Sequence, residues 1–227
     1  MHYANDQGAL GEILSLETFR NYPFLIQKRV YGPGIGLFLL TRNGEVLAGF
    51  AHRRIREKPP SGGVSVLSES VEFPKEAGEA AMRILGKVRW TGVAMVEFKE
   101  DRETGVARLL EVNARFWGSL QLAVTSGVDF PYLLYRMATS EPLEKNPPYA
   151  VGVRSRWELG DLDHLLIRLL KYRSNSNLPP HLPGRGAALK EFVFDFFRPS
   201  VRNEICRRGD AKPFLHEMKW YLRHLMR

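Results

Sequence analysis

The chain has 227 residues, of which 44% are hydrophobic and 26% charged, with a formal net charge of +8. That is room for one large or two small domains of an ordinary globular protein, and it excludes a disordered or fibrous chain. The single cysteine, Cys206, excludes an internal disulfide and a cysteine-based zinc cluster, and it points to a reducing compartment. The start, Met1 to Asp6, lacks a signal-peptide pattern, and no apolar run approaches the roughly 20 residues that span a bilayer. A cytoplasmic protein without a membrane partner is expected.

Taken in order, the first notable run is Gly32-Pro33-Gly34-Ile35-Gly36. It resembles a dinucleotide-binding loop only superficially. It leads into Leu37 to Leu40, which reads as a strand, and such a fingerprint has to open a helix. His52 to Lys58 reads as a basic strand on which alternation puts Arg54 and Arg56 on one face. The turn Pro59 to Gly63 follows, and Gly62 and Gly63 would let backbone N–H groups approach an anion.

Val93 to Phe98 and Leu109 to Arg115 read as strands separated by the turn Glu103-Thr104-Gly105. A hairpin folded about Thr104 sets Glu97 opposite Glu111, and alternation places Glu111 and Asn113 on one face. Like charges across strands cost a few tenths to about 1 kcal/mol. Exposed strand faces do carry Glu, Asn and Arg. Two carboxylates and an amide oxygen in register are better explained by a hard divalent cation such as Mg²⁺, which takes one or two carboxylates plus substrate phosphates. Arg115 follows two residues on, placed to meet a phosphate with a planar fork of donors.

Asn146-Pro147-Pro148 marks a boundary, which divides the chain into 1–145 and 146–227. Val151 to Trp157 reads as a strand returning to the main sheet. Its Arg154 and Arg156 share a face, toward the site or toward solvent. Asp161 to Leu170 has helical apolar spacing with Asp161 as N-cap. Asn175 to Gly186 reads as a loop. The aromatics of Leu189 to Phe197 read as core packing or as a docking surface. A last helix spans about Lys212 to Met226, with Pro213 in its first turn. Most of the net positive charge lies after about residue 150. Basic tails often meet nucleic acid, but no nucleic-acid motif is present, and an anionic nucleotide also favours positive charge.

The run Leu110 to Ser119, followed by Ser126 to Pro131, resembles the C-terminal half of an ATP-grasp domain, in the carboxylate–amine ligase and carbamoyl-phosphate-synthase-like branch. The resemblance covers roughly residues 15–140. It implies an α+β fold: an antiparallel sheet with helices on one face, plus a C-terminal helical extension. It implies that Glu97, Glu111 and Asn113 bind Mg²⁺ (Mn²⁺ as an alternative) and that Arg115, with Arg56, stabilises the moving phosphoryl group. Phe24 to Val30 resembles the strand along the adenine edge, so Gln27, Lys28 and Val30 would meet ATP. Arg54, Gly62 and Gly63 would lie over the triphosphate. Leu14 to Phe19 resembles the tail of a preceding helix with Ser15 as N-cap. The implied activity is ATP-dependent activation of a small carboxylate as an acylphosphate, then capture by an amine or similar nucleophile.

The family has a first lobe with a lysine and a glycine-rich loop, and Met1 to Tyr22 contains neither. The resemblance therefore implies either a truncated or split gene product, or a separate chain or a homo-oligomer that completes the site. A non-catalytic nucleotide-binding fragment is the first alternative, and a basic nucleic-acid-binding module the second.

Overall fold

The computed structural model describes residues 2–170, 179, 182–207 and 209–225. These form two units, divided between Val30 and Tyr31. The first holds α1 (Gln7–Ser15) and α2 (Glu17–Asn21), then an extended run to Val30. Asp6 caps α1 by accepting from the Ala9 N–H at 2.8 Å. Ser15, expected as an N-cap, closes α1 instead and donates to the Glu12 carbonyl. Phe24 to Val30 is not a strand. A strand needs a partner for its N–H and C=O groups, and this unit contains only helices besides.

The second unit is built on one sheet in the order β5-β4-β1-β2-β3-β6-β7. The strands are β1 (Gly34–Arg42), β2 (Glu45–Lys58), β3 (Val64–Ser70), β4 (Gly92–Glu100), β5 (Ala107–Asn113), β6 (Arg154–Arg156) and β7 (Val201–Asn203). Every pair is antiparallel except β6 with β7. The helices are α3 (Lys75–Lys87), α4 (Leu120–Ser126), α5 (Phe130–Ala138), α6 (Glu158–Leu170), α7 (Arg185–Phe194) and α8 (Lys212–Leu225).

β1 explains why the sheet is covered twice. From Gly34 to Thr41 it is buried on both faces, and its run of apolar residues has no polar side. Phe38 and Leu40 pack with Phe50 and Met95 under Trp117, Leu122 of α4 and Phe130 of α5. Leu37 and Leu39 pack with Ala51, Ala94 and Val96 under Ala77, Ala81 and Leu85 of α3. The α+β class and the antiparallel sheet are as the sequence implies. The helices, expected on one face, cover both, because successive β1 side chains are apolar and point to opposite faces. β6 is the expected return strand and pairs with β3.

The C-terminal elements are held to the sheet by charge. The Asp161 carboxylate, fully buried inside α6, accepts from Arg56 Nε at 2.6 Å and from Arg156 Nε at 2.7 Å. Asp195, just beyond α7, accepts from the other arm of Arg56 at 2.6 Å and from Arg198 at 2.9 Å. Arg156 stacks on Phe192 and Phe196, its guanidinium carbon 4.4 and 4.1 Å from the ring centres. Asp161 is thus no N-cap: α6 begins at Glu158 and turns Asp161 inward. The expected loop Asn175 to Gly186 lies largely outside the described residues; Gly184 caps α7. The Leu189 to Phe197 aromatics are split: Phe192 and the half-exposed Phe196 join the charged cluster, whereas Phe197 is 79% exposed.

Removing one member of a buried ion pair costs about 3–5 kcal/mol, because the other charge stays buried. Asp161→Ala, which strands Arg56 and Arg156, is expected to lower the unfolding free energy by about that amount, measured by urea denaturation followed by circular dichroism.

Candidate functional site

The helix cover over the Phe38 face ends one step along the strands, and there the sheet turns polar. Met95, Phe38 and the paired Phe50 form the last apolar row; Glu97, Gly36 and His52 form the next. Gly36 is the floor of this row. A Cβ there would meet Phe38 Cζ at 2.6 Å and His52 Nε2 at 2.7 Å. The His52 ring stands edge-on to Phe38, and its Nδ1 lies 3.2 Å from Ser119 Oγ, just before α4. Burial, helped by the Arg54 charge, pushes the His52 imidazole down to about 3.

Nearer its turn the β4–β5 ladder is one residue out of the expected register, with Phe98 opposite Leu109, and an irregularity between Glu97 and Phe98 restores the expected pairing. Glu97 is opposite Glu111 and Met95 opposite Asn113, so Glu97, Glu111 and Asn113 share one face. Asn113 Nδ2 donates to Glu111 Oε1 at 2.6 Å, and Arg115 reaches Asn113 Oδ1 at 3.4 Å and the Phe116 carbonyl at 3.0 Å. Glu111 and Arg115 are exposed, whereas Glu97 is buried. Burial raises the Glu97 carboxyl above the ordinary range, Arg54 opposes this, and the Glu111 charge adds to it. Burial wins.

Four of the expected residues are thus brought together. Arg54 joins them by an ion pair to Glu97 at 2.6 Å. Its other arm donates to Glu57 Oε1 and to the Gly63 carbonyl, both at 3.0 Å, which ties the Pro59 to Gly63 turn to the site. Gly63 is required there, since a Cβ would lie 2.2 Å from the Lys58 carbonyl oxygen. Gly62 has φ +129, a conformation that glycine adopts freely, and a Cβ there would meet nothing.

Arg56 is not brought in. The β2–β3 register slips between Arg54 and Arg56, so the expected shared face is lost, and Arg56 is held by Asp161 and Asp195. Gln27, Lys28 and Val30 belong to the first unit, where Gln27 and Lys28 are exposed. Glu57 and Lys99 have no place in the sequence reading. Lys99 stands 3.9 Å from Glu57; its spacing of two from Glu97 was the available signal. Glu57 had none, because a regular strand would have turned it away from Arg54.

Among the described residues no three His, Cys, Asp or Glu side chains form a metal-holding group. Glu97, Glu111 and Asn113 offer two carboxylates and an amide oxygen. That set fits a hard cation whose remaining positions are filled by phosphate and water, as is usual for Mg²⁺. Burial first, and the Glu111 charge after it, disfavour the Glu97 carboxylate, and a divalent cation there would offset both.

Residues 21–160 match the family described as ATP-grasp in the biosynthetic pathway with Ter operon. No curated protein is similar to the chain. Among solved structures, N5-carboxyaminoimidazole synthetase from Staphylococcus aureus, complexed with ADP, is similar with a TM-score of 0.53 and 13% identity, over 64% of this chain and 39% of that one. The biotin carboxylase domain of Hydrogenobacter thermophilus 2-oxoglutarate carboxylase, in complex with MgADP and bicarbonate, gives 0.48 and 17% identity, over 65% and 34%. Rhizobium etli pyruvate carboxylase gives 0.47 and 17%, over 58% and 14%. The chain therefore spans well under half the length of each, and the likeness to the first shows the shared fold.

His52 supplies a pH test. Its folded value of about 3 lies below the unfolded 6.5, so both states are neutral above 6.5. Below that, only the unfolded chain takes up the proton, and stability falls as pH falls toward 3. Urea unfolding between pH 6 and 4 is expected to show a slope shallower by up to about 1.4 kcal/mol per pH unit in His52→Asn than in the wild type.

Proposed function

The chain belongs to the ATP-grasp family described for the biosynthetic pathway with the Ter operon, and on that footing we propose that its second unit is the metal and phosphate side of an ATP-dependent carboxylate ligase. The observation that carries this reading is the register of Glu97 opposite Glu111, with Asn113 on the same face and Arg115 linked to it. Glu97, Glu111 and Asn113 would hold Mg²⁺, or Mn²⁺ in its place. The ion, when bound, supplies charge neutralisation for the ATP phosphates.

Arg115 is exposed at the end of the β5 segment, and its guanidinium would meet the phosphoryl oxygens as the γ-group passes to a substrate carboxylate. The acylphosphate so formed would be captured by an amine or similar nucleophile. The Gly62 N–H donates to the Pro59 carbonyl at 3.0 Å and the Gly63 carbonyl accepts from Arg54, so these two glycines would shape the turn beside the phosphates rather than offer that N–H to them. Arg56, already engaged by two carboxylates, would support β2 rather than touch substrate. Sheet, helices and buried core would hold these groups in place, which is most of what phosphoryl transfer asks of a protein.

The chain corresponds to between 14% and 39% of the three structures it was compared with above. This favours a second reading, in which it binds nucleotide only as part of a larger assembly, completed by another chain or a second copy. Isothermal titration with a non-hydrolysable ATP analogue and Mg²⁺ separates the two. Micromolar, Mg²⁺-dependent binding that weakens at least about tenfold, or roughly 1.4 kcal/mol, in a Glu111→Ala/Asn113→Ala double variant supports a working site. Absence of binding to either protein, both folded, would leave only the assembly reading.

A further inference from the structure

Glu97 already has a cation. Arg54 Nη2 lies 2.6 Å from its Oε2, with the two side chains only 11% and 9% exposed. The seat of that guanidinium is built. Its stem crosses the backbone of Gly34, where a Cβ would come within 2.9 Å of Arg54 Cδ. Its second arm is shared by Glu57 and the Gly63 carbonyl. Its Nε is buried with no hydrogen-bond partner, so the guanidinium is not fully satisfied where it sits.

The guanidinium occupies Glu97 Oε2, one of the two oxygens the carboxylate would offer a metal ion. A divalent cation at Glu97 and Glu111 would also place like charge beside Arg54 in a half-desolvated setting, where repulsion is stronger than in water. We propose that Arg54 is a resident counter-cation for Glu97, displaced when a divalent cation loads. It neutralises Glu97 in the metal-free protein, competes with the metal, and gives way to it. The same movement loosens the hydrogen bond to Gly63, so metal loading is transmitted to the Pro59 to Gly63 turn. Arg54 acts through Glu97 and the turn, and is a positioning residue. The inference rests on the reading of Glu97, Glu111 and Asn113 as metal ligands.

The probe is Mn²⁺ alone, without nucleotide, titrated into the protein and followed by the electron paramagnetic resonance signal of the free ion. Arg54→Met removes the competitor and keeps an unbranched stem over Gly34. It is expected to bind Mn²⁺ about tenfold more tightly than the wild type, the scale of one charge-assisted hydrogen bond released. Arg54→Lys, which restores a cation, is expected to return affinity toward the wild-type value. An arginine with a purely structural role predicts unchanged or weaker Mn²⁺ binding in a folded Arg54→Met, and that result overturns the proposal.

A measurement on the wild type does not depend on how the variants fold. Adding Mn²⁺ is expected to speed amide hydrogen exchange at Ser61 to Val64, and protection that stays level or rises overturns the proposal. Wild type and Arg54→Met that bind Mn²⁺ equally refute the counter-cation and leave the metal site standing. No Mn²⁺ binding by either protein, with or without the ATP analogue, refutes both.

Discussion

A carboxylate taken almost wholly out of water and set opposite a second carboxylate is unstable on its own, and Glu97 is in that position. Its place follows from the β4–β5 register and from the end of the helix cover over the Phe38 face. The surroundings offset the cost. Arg54 pairs with it, and Glu57 and Lys99 extend the alternation of charge. Gly34 and Gly36 remove side chains that would crowd Arg54 and His52. Even so, burial and Glu111 keep the Glu97 carboxyl above its usual range.

One register slip in β2 separates the two jobs of its arginines. Before the slip, Arg54 turns to the polar end of the sheet. After it, Arg56 turns to Asp161 and Asp195 and ties α6 and the end of α7 to the sheet. The two clusters differ in character. Around Asp161 two arginines enclose one fully buried carboxylate, which leaves little for a ligand to change. Around Glu97 one guanidinium arm is shared by two acceptors, Arg54 Nε lacks a partner, and Glu111 stands exposed. The first arrangement suits support, the second exchange of partners.

The hairpin site was legible because its geometry is local. Period-2 alternation put Glu111 and Asn113 on one face, whereas the pairing of Glu97 with Glu111 also depends on an irregularity between Glu97 and Phe98. The same rule failed for Arg54 and Arg56, since an irregularity in the ladder shifts faces and leaves no mark in residue spacing. It failed for Phe24 to Val30, where a strand-like run has no strand to pair with among the described residues of its unit. Asp161 reads as a helix cap from its neighbours, and Arg56, brought from the distant β2, together with Arg156 at the end of the preceding strand, explains why it lies buried inside α6.

The sequence by itself determined the α+β class through its family resemblance, and the strands that carry Glu97, Glu111 and Asn113 through alternation, which acts between near neighbours. The tertiary structure alone decided which cations those carboxylates meet, which face each β2 arginine takes, and that helices close both sides of β1. Those outcomes depend on burial and on partners far away along the chain, and the free energy of a buried charge depends on what surrounds it more than on what precedes it.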